Sequence, residues 1–289
     1  MKTYDGPATL TDTQVIEFCK KGFIMLEGVV PDVANRKAAE YLKQDTHYEP
    51  SGILEQEWFQ EHVVSNPQAI GAVRSLLGAG LGMPIIMSNH RVECPAPAQG
   101  WHRDGGSKYG PEVDSLQVFY LPEDCPREMG PTALLPGSHF LYAPSNYMGH
   151  YGNIQGAYYA AVPAGSIFIT IYSIWHRRSK STGKGIRNLL KYNYWRNTPP
   201  VRDWVCEPGF DPEKARFDTG HPTFRVQFRD AVDAAQMYFW LCGRLDVFDF
   251  RGGQAWPIGQ TASRIIDKPW GFPENGLYAA SSGRHVWKK

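Results

Sequence analysis

From about Pro84 onward the chain is built of short runs rich in β-branched and aromatic residues, each closed off by glycine or proline. The runs are PIIMSNHRVE, DSLQVFYLP, PTALLPGSH, AYYAAVPAGSIFITIYSIWH and IRNLLKYNYW. Recurring short strands with turn signals between them favour a β-sandwich or barrel over alternating βαβ units. No glycine-rich phosphate loop follows any of these strands, which argues against a nucleotide-binding role. Aromatic residues make up 13% of the chain, enough to wall a β-rich core or a cavity.

The flanks read differently. LTDTQVIEFCKKGFIML predicts a helix capped by Thr11 or Asp12, with Val15, Phe18 and Cys19 as its apolar face. Gly22 ends that helix and Phe23 to Leu26 form a short buried strand. A second helix is expected over Val33 to Lys43 with Asp32 near its start, and a third over Pro67 to Leu77. Beyond Pro199-Pro200 a polar stretch precedes an expected helix, FRDAVDAAQMYFWLCGR, and a Gly/Pro-rich tail. The 289 residues therefore predict one domain, with helix-and-strand padding over 1–83, a β core over about 84–197 and a helical extension over about 198–289.

Composition narrows the function classes. The formal net charge is +1, so nothing in the bulk charge calls for nucleic acid or an anionic membrane as partner. The N-terminus lacks the apolar run of a signal peptide, and no stretch reaches membrane-spanning length. The five cysteines are scattered without CxxC spacing, which suggests neither a zinc site nor a disulfide framework. A cytoplasmic protein with a small-molecule partner is the expectation; oligomeric state is not legible.

Chemistry concentrates around Gly100-Trp101-His102-Arg103-Asp104-Gly105-Gly106. Residues two apart on extended backbone share a face, so His102 and Asp104 can converge on one point. An imidazole and a carboxylate suit a borderline divalent metal such as Fe(II), and a second histidine would complete a facial triad with the opposite positions open. His176 is the candidate, at the end of the apolar run Ile167 to Ile171 and its continuation Ser173-Ile174-Trp175. Arg187 follows eleven residues on, at the start of the next strand. A hairpin across Lys180 to Gly185 is expected to return it beside His176. Its planar fork can grip a carboxylate bidentately.

At these residues the chain resembles the phytanoyl-CoA dioxygenase family. An HxD is followed by Gly130-Pro131-Thr132-Ala133-Leu134-Leu135-Pro136-Gly137-Ser138-His139, then by Pro163-Ala164-Gly165 and the strand Ser166-Ile167-Phe168, then by His176 and Arg187. All stand in family order between about Leu10 and Trp195. The resemblance implies a mostly β fold with flanking helices around a double-stranded β-helix, the jelly-roll or cupin-like core. It implies Fe(II) on His102, Asp104 and His176, with 2-oxoglutarate anchored by Arg187 and O₂ as co-reactant. The reaction implied is decarboxylation of 2-oxoglutarate to succinate and CO₂, coupled to hydroxylation of a small metabolite or natural product. Desaturation and ring formation would use the same metal ligands, whereas halogenases of this type generally lack the carboxylate that Asp104 supplies.

Gln117, Asn89 and Gln99 are further candidates for contact with cosubstrate or substrate, Gln117 by its place on the strand after HxD. The family often carries a small Gly-Ser or Gly-Gly pair just after the distal histidine; here Arg177-Arg178-Ser179 stands instead. The hydroxyl partner of the cosubstrate is thus open, with Ser179 as candidate. Arg177 or Arg178 can favour an anionic substrate if either faces the cavity, Arg178 by shared parity with His176. Two readings compete: a cupin-like metalloenzyme that does not use 2-oxoglutarate, marked by absence of succinate, and a catalytically silent binding module, marked by failure to bind iron. Elsewhere the plain reading prevails. His139 ties down backbone in the PGSH turn, Trp101 and Trp175 pack away from the metal, and His47, His62, His90, His150, His221 and His285 are surface or hydrogen-bonded residues.

Overall fold

Among the described residues, twelve strands and five α-helices follow one another, with four of the helices and two short strands before the β core and the fifth helix after it. A computed structural model describes residues 2–104, 110–141, 148–212, 214–217 and 224–245. The strands are β1 (Thr3–Tyr4), β2 (Phe23–Leu26), β3 (Leu81–Gly82), β4 (Ser88–Asn89), β5 (Val92–Cys94), β6 (Ser115–Leu121), β7 (Thr132–Leu134), β8 (Tyr158–Tyr159), β9 (Ser166–Ile171), β10 (His176–Arg178), β11 (Gly185–Arg187) and β12 (Leu190–Trp195). The helices are α1 (Asp12–Lys21), α2 (Asp32–Gln44), the single turn α3 (Glu57–Phe59), α4 (Pro67–Leu77) and α5 (Phe224–Leu241). The Gly/Pro-rich tail, His221 and His285 lie outside the described residues.

The larger sheet runs β1-β3-β12-β6-β9-β2, with β4 beside β12, and all its pairings are antiparallel. The second layer holds β10-β7-β8 and β11-β5. This two-layer closure is the jelly-roll that the run of short strands predicts. The expected first strand run, PIIMSNHRVE, resolves into β4 and β5, and Ile85 and Ile86 are exposed.

Central strands β6 and β9 are buried along nearly their whole length, as a sheet covered on both faces requires. Their cross-strand partners Phe119 and Phe168 stack with ring centroids 4.5 Å apart, a contact worth about 0.5–1.5 kcal/mol beyond burial. Helix α4 covers these two strands. In the Pro163-Ala164-Gly165 step, Gly165 adopts φ +79, and a Cβ there would lie 2.5 Å from the Val30 carbonyl oxygen. Only glycine fits that turn into β9.

Helix α1 begins at a capping box, in which the Thr11 side chain accepts from Gln14 N and Gln14 reaches back to Thr11 N. Thr11 is therefore the cap. Asp12 is buried instead beneath the C-terminal segment, where Arg202 donates from Nε at 2.7 Å and Nη2 at 2.6 Å. Trp204 Nε1, Glu207 N and Tyr238 Oη complete its shell at 2.8, 2.8 and 3.0 Å. Burial alone would raise this carboxyl, but the bonds from Arg202, Glu207, Trp204 and Tyr238 outweigh it and hold the group below its ordinary range. α5 packs on α1 through this hub and begins four residues earlier than its apolar pattern suggests.

One expected pairing is not made. β10 and β11 do not form a hairpin with each other: β10 pairs with β7 and β11 with β5. The six-residue stretch between them does not pair the two strands, and is held by Ser179 N to Pro131 O and Ser181 N to Ala96 O, both at 3.0 Å.

Candidate metal centre

His102 and His176 sit directly opposite one another, exchanging both backbone hydrogen bonds: His102 N to His176 O at 3.1 Å and the reverse at 2.9 Å. Side chains of such an antiparallel pair emerge on the same face, and here the ring centroids are 4.5 Å apart. Asp104, two residues on, brings Oδ1 to 3.8 Å from His176 Nε2 and 4.0 Å from His102 Nε2. One ligand atom from each residue falls within 4.8 Å of the others.

The tautomers are set by the backbone. His102 Nδ1 lies 2.9 Å from Gly100 O and His176 Nδ1 lies 3.1 Å from Ile174 O. Each Nδ1 therefore carries the proton, and both Nε2 lone pairs are left for a metal. Burial drives the His176 pKa down to about 4, reinforced by the neighbouring His102 and Lys191 and opposed by Asp104 and the Ile174 carbonyl. It is neutral at ordinary pH, as a ligand must be.

Asp104 divides its two oxygens. Oδ1 faces the imidazoles, while Oδ2 accepts from Gln117 Nε2 and from Lys191 Nζ, the latter at 2.9 Å. Burial opposes its ionisation, but the charges of His176 and Lys191 and the bonds from Lys191 and Gln117 prevail and bring its pKa to about 2. Two imidazoles presenting Nε2 and one ionised carboxylate are the donor set that a mononuclear Fe(II) site with open positions uses, so the residues fit that metal.

Beside the triad lies a cavity of about 220 Å³ walled in part by Phe119, Thr132, Arg178, Arg187 and Leu189, with the exposed Tyr48 at its rim. Arg187 is buried and donates from Nη2 to Thr132 Oγ1 at 3.0 Å. Arg187 thus reaches the cavity with His176, by way of β5 and β7 rather than through a hairpin.

The other sequence candidates are placed as follows. Asn89 lines the cavity but spends its amide locally, donating to Asn188 Oδ1 at 3.1 Å and accepting from Leu189 N at 3.3 Å. Gln99 lines it too, its Oε1 accepting from Arg178 N at 3.1 Å. Gln117 is fully buried against Asp104. Ser179 is buried and is not among the residues that line the cavity. Arg177 is buried and lines the cavity, while its guanidinium donates to Asn153 Oδ1 at 2.7 Å and lies over the Trp101 ring at 4.8 Å. Trp101 and Trp175 are buried in a cluster with Ala133. His139 is buried with Nε2 2.9 Å from Cys19 O, the tying role its turn suggests. His90 departs from the surface reading: it lines the cavity, edge-on to Tyr48, and burial takes its pKa down to about 4.

The sequence pattern marks neither Thr132 nor Lys191 as a partner of the metal site. A lysine inside the apolar strand LLKYNYW was the available signal for the second, since a charge on a central strand needs a buried partner. Thr132 stood within GPTALLPGSH but nothing local marked its hydroxyl.

A family model for phytanoyl-CoA dioxygenase matches residues 18–189. Among solved structures, HygX from Streptomyces hygroscopicus with nickel and 2-oxoglutarate bound is similar with a TM-score of 0.54 and 15% identity, over 68% of this chain and 90% of that one. SnoN, a non-heme alpha-ketoglutarate-dependent epimerase from nogalamycin biosynthesis, is similar with a TM-score of 0.52 and 14% identity, over 64% and 82%. A search of curated proteins returned no match. These likenesses agree with the jelly-roll described above.

Proposed function

The chain belongs to the phytanoyl-CoA dioxygenase family, and from that premise we propose that it is an Fe(II)- and 2-oxoglutarate-dependent oxygenase in which His102, Asp104 and His176 hold the metal. The observation that carries this reading is the convergence of two Nε2 lone pairs and one carboxylate oxygen beside a cavity containing a buried arginine. Support comes from HygX, which has been solved with iron and with nickel and 2-oxoglutarate bound, and from the epimerase SnoN in complex with Fe³⁺ and alpha ketoglutarate.

When bound, iron supplies the coupling of 2-oxoglutarate decarboxylation to oxidation of a C–H bond in the second substrate. The chain's own tasks are to hold and to aim. The two Nδ1–H groups on backbone carbonyls lock the imidazoles in orientation. Gln117 and Lys191 occupy Asp104 Oδ2 and so leave Oδ1 as the single ligand oxygen, which keeps positions open for cosubstrate and O₂. Arg187, buried at the cavity wall, would hold the distal carboxylate of 2-oxoglutarate. Phe119 and Leu189 wall the site with apolar surface that keeps water back.

The substrate is a small organic molecule, hydroxylated in the usual outcome. Support comes from HygX with hygromycin B and SnoN with nogalamycin RO bound, both small natural products. Five free cysteines fit a reducing, cytoplasmic setting, and no helix among the described residues is long and apolar enough to cross a membrane. We read the chain as one catalytic domain whose C-terminal segment is fastened through Asp12. Anaerobic addition of Fe(II) and then 2-oxoglutarate should produce the visible metal-to-ligand charge-transfer band, and a metabolite panel should reveal succinate release above background. A protein that binds iron yet never shows the band sinks the reading.

A further inference from the structure

One stretch of surface chain grips the neighbours of both metal histidines. It covers residues 148–157, just ahead of β8. Met148 and Ile154 of this stretch pack on the small buried cluster of Trp101, Ala133 and Trp175. Two side-chain bonds fasten it there. Trp101 donates from Nε1 to Gly152 O at 2.8 Å, and Arg177 donates from Nη2 to Asn153 Oδ1 at 2.7 Å. The Arg177 guanidinium lies over the Trp101 ring at 4.8 Å, so the two fastenings form one unit. Both donors belong to buried side chains, where a bond left unmade is costly.

These contacts fall on the residues immediately beside the ligands. Trp101 precedes His102, Arg177 follows His176, and the two histidines exchange both backbone hydrogen bonds. Side chains alternate between faces along extended backbone, so His102 and His176 turn to the metal while Trp101 and Arg177 turn back to the covering stretch. A third contact bears on the His102 tautomer. Gly100 O lies 2.9 Å from His102 Nδ1, and a Cβ added at Gly100 would stand only 3.0 Å from Gly149 O. The stretch therefore backs the peptide whose carbonyl orients the His102 imidazole. Two imidazoles can share one ion only while both strands keep this register, which no contact within the triad enforces.

Resting on the oxygenase reading above, we propose that residues 148–157 are a positioning strap for the metal centre, in which Gly152 and Asn153 hold the His102–His176 register through Trp101 and Arg177. Arg177 is then a positioning residue rather than a contact for an anionic substrate, because its guanidinium is spent on Asn153 and Trp101. Asn153 is exposed at the surface and acts through Arg177 alone. The strap governs how the two Nε2 atoms meet one ion, so its loss acts on metal affinity and coordination geometry.

The test uses Asn153→Ala, which removes only the acceptor for Arg177, and Trp101→Phe, which removes the Nε1–H and keeps a ring. Fe(II) affinity is read by competition with a fluorescent chelator, and the anaerobic Fe(II)–2-oxoglutarate charge-transfer band is recorded beside it. Each variant should weaken Fe(II) about tenfold and shift or broaden the band. Asn153→Asp keeps an acceptor oxygen for Arg177 and should hold wild-type values. Melting midpoints taken in parallel separate a loss of fold from a loss of register. Variants that melt earlier yet keep wild-type iron affinity and an unaltered band reduce the strap to surface cover and overturn the proposal. An Asn153→Asp protein as impaired in iron binding as Asn153→Ala overturns it too, since the Arg177 bond would not be the cause. Should Trp101→Phe fail to fold, the two variants of the exposed Asn153 decide the matter. A wild type that binds no iron or shows no band strikes the oxygenase reading itself, whereas a normal wild type with indifferent strap variants strikes only the strap.

Discussion

Lys191 Nζ lies 2.9 Å from Asp104 Oδ2, on the carboxylate oxygen turned away from the two histidine Nε2 atoms. The ammonium thereby fixes which oxygen is free for a metal. Outer partners of this kind typically contribute 10–100-fold in metal affinity. Lys191→Met should therefore weaken Fe(II) binding by about tenfold or more, with Lys191→Arg recovering most of it. Competition against a metal-sensitive fluorescent chelator reads the difference; an affinity equal to wild type in Lys191→Met would falsify the assignment.

The proposed site has three protein donors and so none in reserve. His102→Ala, Asp104→Ala and His176→Ala should each abolish stoichiometric Fe(II) binding and the charge-transfer band with 2-oxoglutarate. Metal analysis after desalting provides the check. Iron retained at one equivalent in all three variants would place the metal elsewhere.

Arg187→Ala should cost 2-oxoglutarate far more affinity than iron. Truncating one partner of a buried charge pair costs roughly 2–5 kcal/mol, and Arg187 is buried. Arg187→Lys should restore only a fraction, since a point charge lacks the fork. Calorimetry of the iron-loaded protein separates the two affinities, and equal losses of both would count against an anchoring role.

Asp12 couples stability to acid. Its carboxyl is held below the ordinary range, so the unfolded chain takes up the proton first. The contribution is fully present above the unfolded pKa of about 3.9 and is lost as pH falls through the lower folded value. Urea midpoints measured between pH 6 and pH 3 (about that range) should fall more steeply for wild type than for Asp12→Asn. At neutral pH Asp12→Ala should destabilise the protein by about 3 kcal/mol or more, because it strands Arg202, Trp204 and Tyr238 around an empty position. Parallel acid curves for wild type and Asp12→Asn would remove Asp12 from the account.

What could be read from the sequence was what local pattern encodes. Runs of β-branched and aromatic residues with Gly/Pro punctuation marked β6, β9 and β12, and the Thr11 to Gly22 signals marked α1. The triad was legible because HxD fixes two ligands by strand parity and family order supplies the third. Strand pairing was not: β10 chose β7 and β11 chose β5 because the barrel closes through contacts between strands remote in sequence. Local patterning cannot distinguish that closure from a hairpin. The same blindness hid Asp12, whose acceptors look like an ordinary helix start until Arg202 and Tyr238 arrive from the far end of the chain. Thr132 and the site role of Lys191 were hidden for a related reason, since their meaning depends on what faces them across the sheet.

The strand β2, contributed by residues that precede the β core, runs along β9 from Phe23↔Thr170 to Leu26↔Ile167. β9 in turn delivers the chain to His176. A shortened protein that starts at the β core would therefore bare an apolar edge on β9, the strand that leads to the distal ligand. Exposed edges of this kind recruit other chains and aggregate. The opening residues act as an edge guard for β9, so the smallest soluble form of this enzyme should have to begin upstream of Phe23.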